Sequence, residues 1–134
     1  MPPDCRRFEP CQHEILVVDD DPLFLEVALI CLRDAGFDVV GARNGCEAMA
    51  GLAFRPAVLI LDCGLAGTSE LSIMDEVART SPSTKVVILS ARRSPFHLNV
   101  MLSFGADLVL TKPIGRVDLE RAVTDLMLGT CREA

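Results

Sequence analysis

The residues able to do chemistry in this chain are Asp19, Asp20, Asp21, Asp62, Ser90, Thr111 and Lys112. Each closes a short apolar run: EILVVD leads into the acidic triplet, AVLIL into Asp62, KVVIL into Ser90 and DLVL into Thr111-Lys112. Clustered carboxylates repel one another, and at neutral pH such a cluster favours a bound cation. Hard oxygen donors suit Mg²⁺, which keeps several waters and takes one or two carboxylates plus phosphate oxygens. A hydroxyl such as that of Ser90 can donate to a phosphoryl oxygen, and Lys112 can pair with it as a compact charge. The chain carries eleven Arg but only two Lys, at 85 and 112, which hints that an ammonium rather than a guanidinium fork is wanted here. The chemistry implied is phosphoryl transfer to a carboxylate. Asp62 would be the nucleophile and form an acyl phosphate, with Mg²⁺ and Lys112 neutralising the transferred charge.

Taken singly, these residues are ordinary. An Asp after a strand is usually a turn residue or a helix cap, and Asp21 is expected to be such a cap. A Thr-Lys-Pro loop is usually a turn. Their joint placement is what points to a site, and that placement depends on the elements. Strands are expected over 14–19, 38–42, 57–61, 85–89 and 108–110, as short β-branched runs of the buried type. Between them lie helical patterns. One starts at Pro22 with an acidic cap and closes at Gly36; a second follows Asn44 and runs through Leu52. A third follows a cap at Thr68 or Ser69 and carries Leu71, Met74 and Val77. A fourth opens on Ser94-Pro95 and stops at Gly105. A fifth covers about 117–128 and ends at Gly129. Five β-α pairs predict an α/β protein with a doubly wound, five-stranded parallel sheet and helices on both faces. In such sheets the ligand site lies outside the carboxyl ends of the strands, where all these polar residues fall.

Length and composition narrow the function classes. The 134 residues fit one domain, read as an irregular leader 1–12, a domain 13–129 and a tail 130–134. The formal net charge of -6 argues against a nucleic-acid partner, because phosphate-backbone binding needs clustered cations. The leader has no apolar run, and no segment approaches a membrane span, so no membrane and a cytoplasmic location are expected. Free thiols follow from that compartment, and Cys31, Cys46 and Cys63 read as small core or near-core residues. Cys5, Cys11 and His13 match no zinc spacing and lack a fourth ligand.

The segments VVDDDP (17–22), LILDCGL (59–65), VVILSA (86–91) and FGADLVLTKPI (104–114) resemble a known family, the response-regulator receiver domains of two-component signalling. The spacings agree: 42 residues from Asp20 to Asp62, 28 more to Ser90, 22 more to Lys112. The resemblance covers about Glu14 to Leu128. It implies the flavodoxin-like, CheY-like strand order 2-1-3-4-5. It implies that Asp62 accepts a phosphoryl group from a histidine kinase or a histidine phosphotransfer protein. Asp20 and Asp62 would hold Mg²⁺, with Asp19 near or through water and the carbonyl of Cys63 or, by register, Gly64 completing the set. Ser90 would turn toward the phosphoryl group and Lys112 would pair with it, while small Ala91 leaves the acceptor reachable. A receiver is a phosphoacceptor that assists its own phosphorylation and dephosphorylation; it is not expected to be a turnover enzyme. With so few residues after the last helix, a stand-alone switch or phosphorelay shuttle is expected. Its partner would read the face of helix four, strand five and helix five, near Met101, Phe104 and Val109.

The chain departs from the family pattern in places. Ala66 and Glu70 replace the usual Pro and Gly after the acceptor, and Val109 replaces a frequent aromatic before the Lys. Arg92 lies where side chains border the path of water to the acyl phosphate, so it is expected to affect phosphate lifetime. Two alternatives compete with a working receiver. One is a degenerate receiver that binds partners without phosphorylation. The other is a phosphatase of the haloacid dehalogenase type, for which Asp19-x-Asp21, Ser90 and Lys112 loosely match. That scheme leaves Asp62 without a role and offers only Asp118 and Glu120 as its late acidic pair. A dinucleotide site is disfavoured, since Gly64-x-x-Gly67 does not follow the first strand.

Overall fold

Strand β1 (Ile15–Val18) is buried along its whole length, as a central strand covered on both faces must be. The computed structural model describes residues 14–63, 70–91 and 95–133, with the backbone alone at 95–98 and 128–133. After β1 come α1 (Pro22–Asp34), β2 (Val39–Ala42), α2 (Gly45–Leu52) and β3 (Val58–Asp62). Then follow α3 (Glu70–Thr80), β4 (Lys85–Ser90), α4 (Pro95–Ser103), β5 (Leu108–Thr111) and α5 (Arg116–Glu133). All strand pairs are parallel, and the order is β2-β1-β3-β4-β5, as expected from the sequence.

The pleat divides the core in two. Leu16, Val18, Leu59, Leu61, Val86 and Ile88 pack with Leu52, Ile73, Met74, Val77 and Met101, on the side of α2, α3 and α4. Ile15, Val17, Val58, Ile60, Val87 and Leu89 pack with Leu25, Ala28, Leu32, Leu119 and Val123, on the side of α1 and α5. Successive residues of a strand face opposite ways, so the strands read as unbroken apolar runs.

Caps set the helix ends. The Asp21 carboxylate accepts the N–H groups of Leu23 and Phe24, and Pro22 fills the first helical position. Asn44 caps α2 by accepting from the N–H of Glu47, whose own carboxylate reaches back to the N–H of Arg43. At the end of α1, the N–H of Gly36 bonds the carbonyl of Arg33 and that of Phe37 bonds Leu32. This pairing needs a left-handed residue, and Gly36 has φ +99°. Gly105, with φ +112°, closes α4 in the same way.

Some expectations need correction. Helix α5 does not end at Gly129 but continues to Glu133, so 130–133 is not a separate tail. A glycine weakens a helix by about 1 kcal/mol and stops it only where the next turn is unwound. Cys46 is exposed rather than near the core, whereas Cys31 and Cys63 are half-buried. The leader 1–12, with Cys5 and Cys11, and the neighbouring His13 lie outside the described residues. So do the caps expected at Thr68, Ser69 and Ser94, and Gly67. Among the described residues no helix is long and apolar enough to cross a membrane.

The Gly36 turn gives a test of this account. A Cβ at Gly36 would meet nothing within 4 Å, so the cost of Gly36→Ala is conformational rather than steric. The substitution is expected to destabilise the fold by about 1 kcal/mol, lowering Tm by about 4 °C in thermal unfolding. An unchanged Tm would contradict the left-handed cap.

Candidate functional site

Strand parity brings the site together. Asp19 follows Val17, and Asp62 follows Ile60, in the alternation that faces α1 and α5. Lys112 continues the same alternation after Leu108 and Leu110. These three side chains therefore leave the sheet on one side, at its carboxyl edge. They meet there: Lys112 Nζ lies 2.8 Å from Asp62 Oδ1 and 3.0 Å from Asp19 Oδ2. The other Asp19 oxygen accepts the N–H of Asp21 at 2.9 Å, which ties the acidic turn to the start of α1.

Asp20 completes the cluster. Carboxylate oxygens of Asp19, Asp20 and Asp62 all lie within 4.8 Å of one another. Asp19 and Asp62 are buried, while Asp20 is exposed. The Lys112 ammonium is shared between the two buried carboxylates, Asp62 and Asp19. Hard, closely spaced oxygen donors of this kind fit Mg²⁺ by the chemistry of the donor set. Gly64, expected to offer a carbonyl ligand, lies outside the described residues, as do Ala66 and Arg92.

Burial pushes the Asp62 carboxyl above its usual range. The Lys112 hydrogen bond opposes this, and the charges of Asp19 and Asp20 add to it. Burial by itself would lower the Lys112 ammonium, yet its bonds to Asp62 and Asp19 prevail and hold it above the usual lysine value. The Asp62 side chain is buried but keeps 11% exposure.

Ser90 is buried at the end of β4. Asp62 is in register with Leu89, so Ser90 stands one residue further along the neighbouring strand. Its carbonyl accepts the N–H of Lys112 at 2.9 Å, which binds the two strand ends together. Thr111 is in register with Ser90 and is exposed; the Lys112–Pro113 bond beyond it is cis. Asp21 is the helix cap expected. Glu120 is held by Arg116 at 2.8 Å on α5 and does not join the cluster.

One neighbour was not visible in the sequence. The Phe24 ring lies under the Lys112 ammonium, which is 4.3 Å from the ring centroid. Its only signal is position: it sits in the first turn of α1, on the side of the sheet that Asp19 and Lys112 also face.

The model of the response regulator receiver domain matches residues 15–124. This chain belongs to that family. It is 33% identical over 103 residues to the DNA-binding response regulator MtrA of Mycolicibacterium smegmatis, a match covering 76% of this chain and 45% of that protein. It is 31% identical over 126 residues to the transcriptional regulatory protein TrcR of Mycobacterium tuberculosis, covering 93% of this chain and 49% of that one. The chain thus spans about half the length of the curated relatives it matches. Among solved structures, a CheY-like receiver domain from Methanospirillum hungatei superposes with a TM-score of 0.84. At 22% identity, over 90% of this chain and 97% of that one, it supports the fold. Family membership removes the ground for the haloacid-dehalogenase-type reading, whose weakness was the unused Asp62.

Charge repulsion in the cluster can be measured. Because the Asp62 carboxyl is raised in the fold, the native state holds its proton more tightly than the unfolded chain does. Metal-free stability should therefore fall as pH rises through the raised Asp62 range. Removing the Asp62 charge relieves this. In chelator, Asp62→Asn is expected to raise Tm by about 2 °C at neutral pH and to have less effect at acid pH. Thermal unfolding across that range checks it, and a lower Tm at neutral pH would refute it.

Proposed function

We propose that this chain is a phosphorylatable receiver: Asp62 accepts a phosphoryl group from a histidine kinase or a histidine phosphotransfer protein. The observation that carries this is the Asp62 carboxylate at 2.8 Å from Lys112, inside a cluster with Asp19 and Asp20. An Asp62 oxygen attacks the phosphorus, the bond from phosphorus to the donor imidazole nitrogen breaks, and an acyl phosphate forms. The released imidazole nitrogen keeps the electron pair of the broken bond.

The chain's own groups prepare this step. Lys112 already faces the acceptor and can transfer a hydrogen bond from the carboxylate to a phosphoryl oxygen. Asp19 holds that ammonium in place from the other side. Ser90 supplies a hydroxyl on the adjacent strand. Asp19, Asp20 and Asp62 would hold Mg²⁺, with the Gly64 carbonyl as a further ligand, and the bound ion would neutralise charge on the phosphoryl group. The chain acts here as a phosphoacceptor and not as an enzyme turning over an external substrate.

The output proposed is a change in partner binding on the α4–β5–α5 face. Phe104 is exposed there and Val109 is half-buried. Met101 is core and contributes nothing to that surface. DNA binding belongs to the longer relatives and is not part of this proposal. Cytoplasm is the proposed compartment, as that is where histidine kinases phosphorylate receivers.

The test is intact-protein mass after incubation with a small phosphodonor and Mg²⁺. One added phosphoryl group is expected, and none for Asp62→Asn or in chelator. No addition to the wild type would reject the phosphoacceptor and leave the degenerate, phosphorylation-independent binding module.

A further inference from the structure

The Lys112 ammonium has three N–H bonds, and the structure accounts for three neighbours. Two are carboxylate oxygens, of Asp62 at 2.8 Å and Asp19 at 3.0 Å. The third is the face of Phe24, 4.3 Å away at its centroid. An ammonium over an aromatic face is attracted by the ring quadrupole, most strongly where water is partly excluded. Lys112 is such a case, with 21% of its side chain exposed.

Phe24 is itself well anchored. Its N–H bonds the Asp21 carboxylate at 3.4 Å, and its ring packs partly buried on the α1–α5 side of the core. Asp21 in turn donates its own N–H to Asp19. The acidic turn, the helix start and the ring thus form one connected frame around the ammonium. Phe24 and Lys112 also line one surface groove with Ala91 and Ile114.

We infer that Phe24 is a positioning residue for Lys112, its ring face fixing the ammonium where it can pass from the Asp62 carboxylate to an incoming phosphoryl oxygen. This role rests on the phosphoacceptor reading, but the contact itself can be tested without it. The ring adds no charge, so it acts on the rate through the placement of Lys112. A leucine at this position keeps apolar packing and loses the π face; a tyrosine keeps both.

The experiment compares wild type, Phe24→Leu and Phe24→Tyr. The chain has only two lysines, Lys85 and Lys112, so a lysine-selective NMR spectrum of the ε-methylene and ammonium groups is readily assigned. In the wild type, the Lys112 ε-methylene should be displaced upfield by the ring current relative to that of Lys85. Phe24→Leu should abolish the displacement and slow phosphorylation by a small phosphodonor about fivefold, the size expected from losing one such contact. Phe24→Tyr should keep both near wild type. A Lys112 signal unchanged in Phe24→Leu would overturn the inference, as would a changed signal with an unchanged rate. Equal slowing in both variants would also overturn it, since that marks a packing effect. Failure of the wild type to take up a phosphoryl group would reject the phosphoacceptor reading and, with it, the role in the rate. The NMR comparison then decides separately whether the ring seats the ammonium.

Discussion

A parallel sheet covered on both faces gives its strands one place to carry charge, their ends. Within β1, β3 and β4 nearly every side chain is buried apolar, and a charge there would be stranded without water or partner. Polar chemistry is therefore expelled to the carboxyl edge, where loops leave the core. The pleat then selects which polar residues can meet. Asp19, Asp62 and Lys112 share one parity and converge, while Ser90 has the other and is linked to them through its backbone. The site is a consequence of strand length: one residue more or fewer in any strand would turn its functional side chain to the opposite face.

The cluster is a poor way to stabilise a fold. A buried ion pair rarely repays its desolvation, and here one ammonium is shared between Asp62 and Asp19. The rise of the Asp62 carboxyl shows that burial and repulsion outweigh the help from Lys112. Stability comes from elsewhere, from the two apolar layers and their glycine-closed helices. Placing a cluster of carboxylates on so secure a frame suits a site that takes up positive charge. In the proposed function a cation held there would let the cluster tolerate a dianionic phosphoryl group beside it.

Most of this was legible in the sequence, and the exceptions share a cause. Apolar runs ending in Asp, Ser or Lys reveal the strands and the site at once, because burial on both faces leaves a continuous signal. Asp21 and Gly36 declare themselves because caps demand particular residue types. Phe24 does not, since an aromatic in an amphipathic helix looks like any other core residue; only the parity of the strand ends shows that α1 covers the acidic edge. Cys46 and Gly129 misled for a related reason. Small residues pack, expose or continue a helix at little cost, so their type carries little positional information. Met101 and Phe104 lie three residues apart near the end of α4, yet one is core and the other exposed. Apolar type alone does not separate a docking residue from a packing one.

The division of labour around Lys112 suggests how a change at Asp62 would be felt. Asp19 has both oxygens engaged, one with the Asp21 N–H and one with the ammonium. It is held by the start of α1 and has little freedom to follow a new charge. Asp62 is different, because its bond to Lys112 is the one that an added phosphoryl group would take over. The ammonium can then pivot between a fixed carboxylate and a fixed ring while exchanging its third partner. Such a pivot would be felt in β5 directly, since Lys112 follows Thr111 without a break and its N–H is bonded to the Ser90 carbonyl. In the proposed switch the displacement would reach α4 and α5 through the paired ends of β4 and β5, since valine at position 109 offers no aromatic ring to swing.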